Sequence, residues 1–165
     1  MKTVLAPIDF SPATDGVIRA AIALARSIDA GLVLLHVIPE LRITGGTVSL
    51  TLAATDLMAE EIKDTARRLT RLQRTLHGEG VTAHVMHARG EPRQCILEHA
   101  QELHATYVVM AAHGDPVFDR AVMGSTVAGV LKRHPGPVVI VPHDPAPTKR
   151  SAARRSEELQ LAEVH

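Results

Sequence analysis

Aromatic side chains are scarce in this chain of 165 residues, which has no tryptophan, one tyrosine and two phenylalanines. Little aromatic surface is therefore available for stacking nucleobases. The chain also has no excess of charge, because 18 lysines and arginines balance 18 aspartates and glutamates. Without a net field to attract polyanions, neither a nucleic acid nor an anionic membrane is expected as a partner.

Cysteine is nearly absent, and a long apolar segment is missing from the N-terminus. Cys95 is the only cysteine, so an internal disulfide is excluded. The N-terminus has neither a long apolar segment nor the pattern of a signal peptide, and these absences together predict a cytoplasmic protein. The ten histidines are scattered, and His84 and His87, three residues apart in a predicted strand, are expected on its opposite faces. The sequence therefore does not predict a metal centre.

Apolar runs alternate with amphipathic segments along most of the chain. The runs at 3–8, 32–37, 81–88, 107–110 and 138–141 predict five strands, with the third at an edge of the sheet. Helical spacing predicts four helices between them, the first capped by Ser11 and the last by Ser125. This alternation predicts one α/β domain with an open, doubly wound parallel sheet and helices on both faces.

Familiar nucleotide motifs are missing from this pattern. There is no Walker loop, and no Gly-x-Gly-x-x-Gly follows the first strand, which disfavours a P-loop NTPase and a dinucleotide dehydrogenase. A receiver domain of a response regulator needs clustered acids at strand ends, whereas only Asp9 is suitably placed. These three classes of phosphate or nucleotide site are therefore disfavoured.

The segment 107–142 has the features of a phosphate site. Its first strand ends at Ala111, a loop containing Gly114 follows, and the chain reaches Gly124, Ser125 and Thr126 where the last helix begins. Glycine lets a ligand approach the backbone closely, and the free amides of a helix start favour an anion.

This spacing resembles the ATP-binding branch of the universal stress protein family. The family pattern is Gly, two residues, Gly, nine residues, then Gly followed by Ser or Thr, matched here by Ala111, Gly114, Gly124 and Ser125. The resemblance covers residues 2–143 and implies a Rossmann-like sheet of strand order 3-2-1-4-5. Ligands of such sheets bind where the strand order reverses, here between the first and fourth strands.

The resemblance also implies roles for individual residues. Asp9, in the run Pro7-Ile8-Asp9, matches the acid that binds the ribose, and Pro7, Val37 and Met110 match positions that frame the adenine. The implied cofactor is ATP, or AMP or ADP, with Mg²⁺ held by the phosphates. The complete candidate binding set is Pro7, Asp9, Val37, Met110, Ala111, Gly114, Gly124, Ser125 and Thr126.

Two departures from the family weaken the expected affinity for ATP. Ala111 adds a methyl group where the family has glycine, and the loop carries Asp115 and Asp119 with only Arg120 to balance them. Exposed unit charges about 8 Å apart interact by only about 0.5–1 kcal/mol after screening. That repulsion is too small to abolish a site made by backbone amides.

Three functions fit these observations. The first is an ATP-binding stress-response module in which the nucleotide changes stability, dimerisation or partner choice without efficient turnover, since the sequence shows no general base. The second is a slow ATPase or phosphotransferase that uses Ser125 or a nearby acid. The third is a nucleotide-free dimeric interaction protein.

The C-terminal part of the chain carries two further expectations. In the order 3-2-1-4-5 the last strand lies at an edge, and its apolar residues Val138 to Val141 predict a homodimer, as the resemblance also implies. The domain is expected to span 1–143. Residues 144–165 have few apolar side chains and are expected to form a tail outside it.

Overall fold

A computed structural model describes residues 2–39, 52–112 and 124–142 of the chain. Strands and helices alternate along these residues, as the sequence predicts. The elements are β1 (Thr3–Ile8), α1 (Thr14–Ser27), β2 (Gly31–Pro39), α2 (Leu52–Gly78), β3 (Ala83–Gly90), α3 (Pro92–Glu102), β4 (Tyr107–Ala112), α4 (Ser125–Arg133) and β5 (Val138–Pro142).

The five strands form one parallel sheet of order β3-β2-β1-β4-β5, which confirms the predicted fold class and strand order. β1 is the central strand, and its residue Val4 is in register with Leu32 of β2 and Tyr107 of β4. The order reverses between β1 and β4. The connections that leave the carboxyl ends of these two strands therefore lead to helices on opposite faces of the sheet, to α1 after β1 and to α4 after β4.

Alternate residues of the strands pack under different helices, which confirms that helices cover both faces. Val4 of β1 belongs to the core with α1 and α2, and the next residue, Leu5, belongs to the core with α3 and α4. Both side chains are completely buried. A central parallel strand must be apolar on both sides, which is why β1 reads as a continuous hydrophobic run.

Two helices begin differently from the sequence prediction. Ser11 is not the N-cap residue of α1, because the helix begins at Thr14 after Ala13. It caps the turn that leads into the helix instead, since its Oγ atom accepts the Ala13 amide at 3.3 Å and its carbonyl oxygen accepts the Thr14 amide. Ser125 does not cap α4 either, because the carbonyl of Gly124 accepts the Ala128 amide and makes Gly124 the cap. The predicted cap by Ser125 was wrong, and the predicted cap by Ser11 was displaced from α1 to the turn before it.

Several predictions lie outside the described residues. These are Gly114, the acidic loop residues Asp115 and Asp119 with Arg120, and the tail at 144–165. In the part of the chain that is described, no helix is long and apolar enough to cross a membrane.

Candidate functional site

A cavity of about 300 Å³ lies at the carboxyl ends of the strands, where the strand order reverses. Its walls come from the ends of β1, β2 and β4 and from the first turns of α1, α3 and α4. This volume is at the lower end of the range for small-molecule sites. The lining residues are Pro7, Ile8, Asp9, Thr14, Val17, Leu35, Val37, Pro39, Pro92, Ile96, Met110, Ala111, Gly124, Ser125, Thr126 and Val127.

The cavity brings together every candidate binding residue that the structure describes. Pro7 and Asp9 come from the end of β1, Val37 from β2, Met110 and Ala111 from β4, and Gly124 to Thr126 from the start of α4. Gly114 lies outside the described residues. Sequence positions as far apart as 7 and 126 thus share one surface.

Asp9 is held in a defined orientation directly after β1. The backbone amide of Ser11 donates to its Oδ1 atom at 3.0 Å, and the Thr14 hydroxyl donates to the same atom at 3.3 Å. An aspartate that accepts the amide two residues on forms a local turn. The carboxylate is therefore oriented at the cavity wall by the first turns that follow the strand.

Phe10, the residue after Asp9, anchors this turn against β2 and α2. Phe10 has a φ of 58°, in the left-handed region that is uncommon for a bulky residue. Its ring packs against His36 of β2 with a centroid separation of 4.8 Å, and the guanidinium of Arg68 on α2 lies 5.7 Å from the ring centroid. These contacts offset the cost of the strained backbone and hold the chain in the bend that places Asp9 at the cavity.

His36 ties β2 to the last residue of β1. Its Nδ1 atom lies 2.9 Å from the carbonyl oxygen of Ile8. A carbonyl can only accept, so Nδ1 carries the proton and donates it. The bond fixes the backbone immediately before Asp9, whereas the bonds from Ser11 and Thr14 fix its carboxylate.

The start of α4 supplies the polar end of the cavity. Gly124 is the N-cap, with φ −57° and ψ 155°, and Ser125 and Thr126 are the first two helical residues. The first amides of a helix lack intrahelical acceptors and carry part of the positive end of the helix dipole. This wall is therefore suited to an anionic group.

The remaining wall is mostly apolar. Leu35 and Val37 of β2, Ile96 of α3 and Met110 of β4 line it. α3 is positioned by a side-chain cap, because Glu91 accepts the amides of Arg93 and Gln94. An apolar slot between two polar ends suits a flat, weakly polar group such as a purine.

Sequence reasoning missed several lining residues. Thr14, Pro39, Pro92 and Ile96 reach the cavity from three different elements, and periodicity marks such positions only as ends of elements or as core. Thr14 alone had a local signal. Asp9 follows a strand and precedes a predicted helix by a few residues. A hydroxyl in the first turn of that helix, such as that of Thr14, is then close enough to donate to the carboxylate.

The described part of the cavity wall carries few ionisable groups. No group of three or more metal-ligating side chains occurs in residues 2–39, 52–112 and 124–142. Among the described lining residues, Asp9 carries the only ionisable side chain, and it already accepts two internal hydrogen bonds. The described walls therefore offer shape, amide donors and one acid, which suit binding.

The fold defines a doubly wound α/β protein, and the cavity lies at the switch point of its sheet. The model of the universal stress protein family matches residues 1–142. The chain belongs to this family, which confirms the resemblance seen in the sequence.

One relative and three solved structures illustrate the similarity. The chain is 28% identical over 142 residues to universal stress protein YxiE of Bacillus subtilis, covering 83% of this chain and 96% of the relative. Universal stress protein UspA from Lactobacillus plantarum superposes with a TM-score of 0.71 at 22% identity, covering 85% of this chain and 97% of that one.

The other two structures contain nucleotides. A universal stress protein from Archaeoglobus fulgidus in complex with dAMP has a TM-score of 0.58 at 22% identity, covering 86% of this chain and 97% of that one. A universal stress protein in complex with cAMP has a TM-score of 0.62 at 22% identity, covering 85% and 96%. At these identities the likeness establishes the shared fold.

Proposed function

We propose that this protein binds an adenine nucleotide, foremost ATP, and acts as a nucleotide-dependent stress-response module. The observation that carries the proposal is the cavity itself. It joins an acid at the end of β1, an apolar slot and the start of α4 in one space at the switch point. In this arrangement Asp9 binds the ribose, the slot holds the adenine and the α4 amides face the phosphates.

The nucleotides in two proteins of the same fold support this assignment. Those ligands, dAMP and cAMP, are both adenine nucleotides with one phosphate. For this chain, AMP and ADP are therefore to be tested beside ATP, and Mg²⁺ would enter with the phosphates. The proposed order of affinity is ATP above AMP, because each added phosphate gains further contacts with amide donors.

Binding without efficient turnover is favoured over catalysis. Of the described residues that line the cavity, only Asp9 could act as a base, and its Oδ1 atom is engaged by Ser11 and Thr14. Ser125 has no such base among the lining residues described. The bound nucleotide then serves as a signal that changes stability, self-association or partner choice.

The substitution Gly124→Val tests the site directly. The φ and ψ of Gly124 are accessible to any residue, so the backbone tolerates the change while the side chain fills the space beside the α4 amides. We expect calorimetry to show at least about a tenfold loss of ATP affinity. Gly78→Val, at a position where an added Cβ meets nothing within 4 Å, is the matched control. Unchanged ATP binding in Gly124→Val would place the phosphates elsewhere.

Two further measurements separate the alternatives. Nucleotide extracted from protein purified without added ligand would identify the occupant, and release of radiolabelled phosphate from ATP would reveal an ATPase. Failure of the natural protein to bind ATP, ADP or AMP would favour a nucleotide-free interaction protein.

We also propose that the protein is a homodimer through β5. In the described part of the chain this strand pairs only with β4, so its other edge presents unpaired backbone groups. The apolar run from Val138 to Val141 has no charge to deter pairing with a second copy. Sedimentation velocity at micromolar concentration should give the mass of a dimer, and a monomer there would contradict the proposal.

A further inference from the structure

The ring of Phe10 contacts side chains from two other elements of the fold. It packs against His36 of β2 at a centroid separation of 4.8 Å, and the guanidinium of Arg68 on α2 lies 5.7 Å from the ring centroid. That distance is within the range of a cation–π contact. Asp64 orients Arg68 in turn, because its Oδ2 atom lies 2.7 Å from Arg68 Nε. A series of contacts thus runs from the outer surface of α2 to the residue after Asp9.

The turn at Phe10 depends on these contacts because its backbone is strained. Phe10 has a φ of 58°, and a bulky residue adopts the left-handed region only where its surroundings compensate for the cost. The residues just before it, Pro7 to Asp9, line the cavity. If the ring loses a partner, the turn gains alternative conformations and this wall moves with it. The shape of the wall is therefore controlled by contacts made outside the cavity.

We propose that Arg68 is a positioning residue for the nucleotide site and acts through the ring of Phe10. Arg68 does not line the cavity, so its influence passes through the turn and not through contact with the ligand. The inference rests on the proposed nucleotide binding and deepens it, because it makes the affinity of the site depend on a side chain of α2.

The position of Arg68 at the surface has two consequences. The side chains of Arg68 and Asp64 are each 54% exposed, so the charge of Arg68 can be removed with little loss of buried packing. Any event on this surface of α2 that displaces the guanidinium from Phe10 should also weaken nucleotide binding.

Calorimetry of ATP and AMP binding to Arg68→Met tests the proposal. Methionine keeps an unbranched apolar stem and removes the cation, so we expect both nucleotides to bind about 2- to 5-fold more weakly, the effect of one exposed cation–π contact. Arg68→Lys keeps a cation near the ring and should retain most of the affinity. Arg71→Met is the matched control. It removes the same charge from an exposed position about one turn further along α2 and should leave the affinity unchanged.

A double-mutant cycle determines whether Arg68 acts through Phe10. Phe10→Leu removes the ring and should itself weaken the binding of ATP. In that background Arg68→Met should cause no further loss, because the contact through which it acts is already gone. Phe10→Met is a second variant without the ring if Phe10→Leu does not fold.

Three results would overturn the role of Arg68 while leaving nucleotide binding intact. Unchanged affinity in Arg68→Met, with only the free energy of unfolding lowered, would mean that the residue serves stability alone. An equal loss with and without the Phe10 ring would mean that it does not act through Phe10. A loss much larger for ATP than for AMP would mean that its charge acts on the phosphates directly. Failure of the natural protein to bind ATP, ADP or AMP would overturn both this role and the proposed function.

Discussion

Gly129 on α4 has no side chain, and the aliphatic part of Arg93 on α3 occupies the space that its Cβ would take. A methyl group at Gly129 would overlap Arg93 Cδ and lie close to Cγ. The two helices flank the cavity through Ile96 and Thr126. This close approach of a long side chain to a helix backbone sets the spacing of α3 and α4 beside the proposed site.

The contact between Arg93 and Gly129 predicts a non-additive effect on stability. Alanine is favoured over glycine in a helix by about 1 kcal/mol, but in the natural protein Gly129→Ala must displace Arg93. We therefore expect Gly129→Ala to change the free energy of unfolding little. In an Arg93→Ala background the same change should stabilise by about 0.5–1 kcal/mol. Urea unfolding of the four proteins measures this, and equal effects in both backgrounds would contradict it.

Ala111 is expected to reduce ligand affinity through its methyl group. It is 9% exposed in β4, in register with Val141, and lines the cavity. The strand backbone is extended there, so the alanine introduces no left-handed strain. Ala111→Gly should tighten ATP binding while lowering the free energy of unfolding by about 0.5–1 kcal/mol.

Ala112→Gly, at a buried strand position that does not line the cavity, is the control. It should lower the free energy of unfolding without changing the affinity for ATP. Equal affinities for Ala111→Gly and the natural protein would show that the methyl group is harmless.

His134 predicts a loss of stability in mild acid. Its Nε2 atom is buried and has no hydrogen-bond partner among the described residues, and burial lowers the pKa of this imidazole below its ordinary value of 6.5. Between the lowered folded pKa and 6.5 the unfolded chain binds more protons, so stability rises with pH in that window. The contribution is present above pH 6.5 and is lost as the pH falls below it.

Chemical unfolding at pH 7 and at pH 5 tests this expectation. The loss of stability on acidification should be smaller in His134→Asn than in the natural protein. His77→Asn, on the exposed side of α2, is the matched control for the substitution. An equal loss in His134→Asn and the natural protein would show that His134 does not drive the acid sensitivity.

Lysine substitutions in β5 test the proposed dimer. Val139 lies on the sheet face that α1 and α2 cover, and Ile140 lies on the face that α3 and α4 cover, yet both are only partly buried within the subunit. Val139→Lys or Ile140→Lys should yield monomers in sedimentation, because an unpaired charge would enter an apolar interface. Both also lose packing in their own subunit, so circular dichroism must confirm folding.

Leu131→Lys, on the exposed surface of α4, should leave the dimer intact. If Leu131→Lys gave monomers while the two β5 variants stayed dimeric, the interface would lie on α4 and not on β5.

Much of the fold follows from local patterns. The five apolar runs could be assigned because a strand buried on both sides must be hydrophobic throughout, as β1 and β4 are. Asp9 and Gly124 could be identified as site residues of interest because an acid after a strand and a glycine before a helix are local signals. The strand order came with the family resemblance, and the structure confirms it.

The starts of α1 and α4 could not be placed from sequence. Ser11 and Ser125 are both good capping residues by type, but which residue caps depends on which carbonyl begins the helical ladder. In α4 the ladder begins at the carbonyl of Gly124, and in α1 Ser11 is engaged in a turn with Asp9 and Thr14. A shift of one to three residues is invisible in hydrophobic spacing.

By itself, the sequence determined the strands, the helices and the polar residues that follow particular strands, because periodicity and turn chemistry act over a few neighbouring residues. Only the tertiary structure decided which side chains meet. The contact of Arg93 with Gly129, the bond from His36 to Ile8 and the cavity shared by Thr14 and Ile96 all join different elements. Such contacts depend on how helices pack across a twisted sheet, and no local pattern along the chain encodes them.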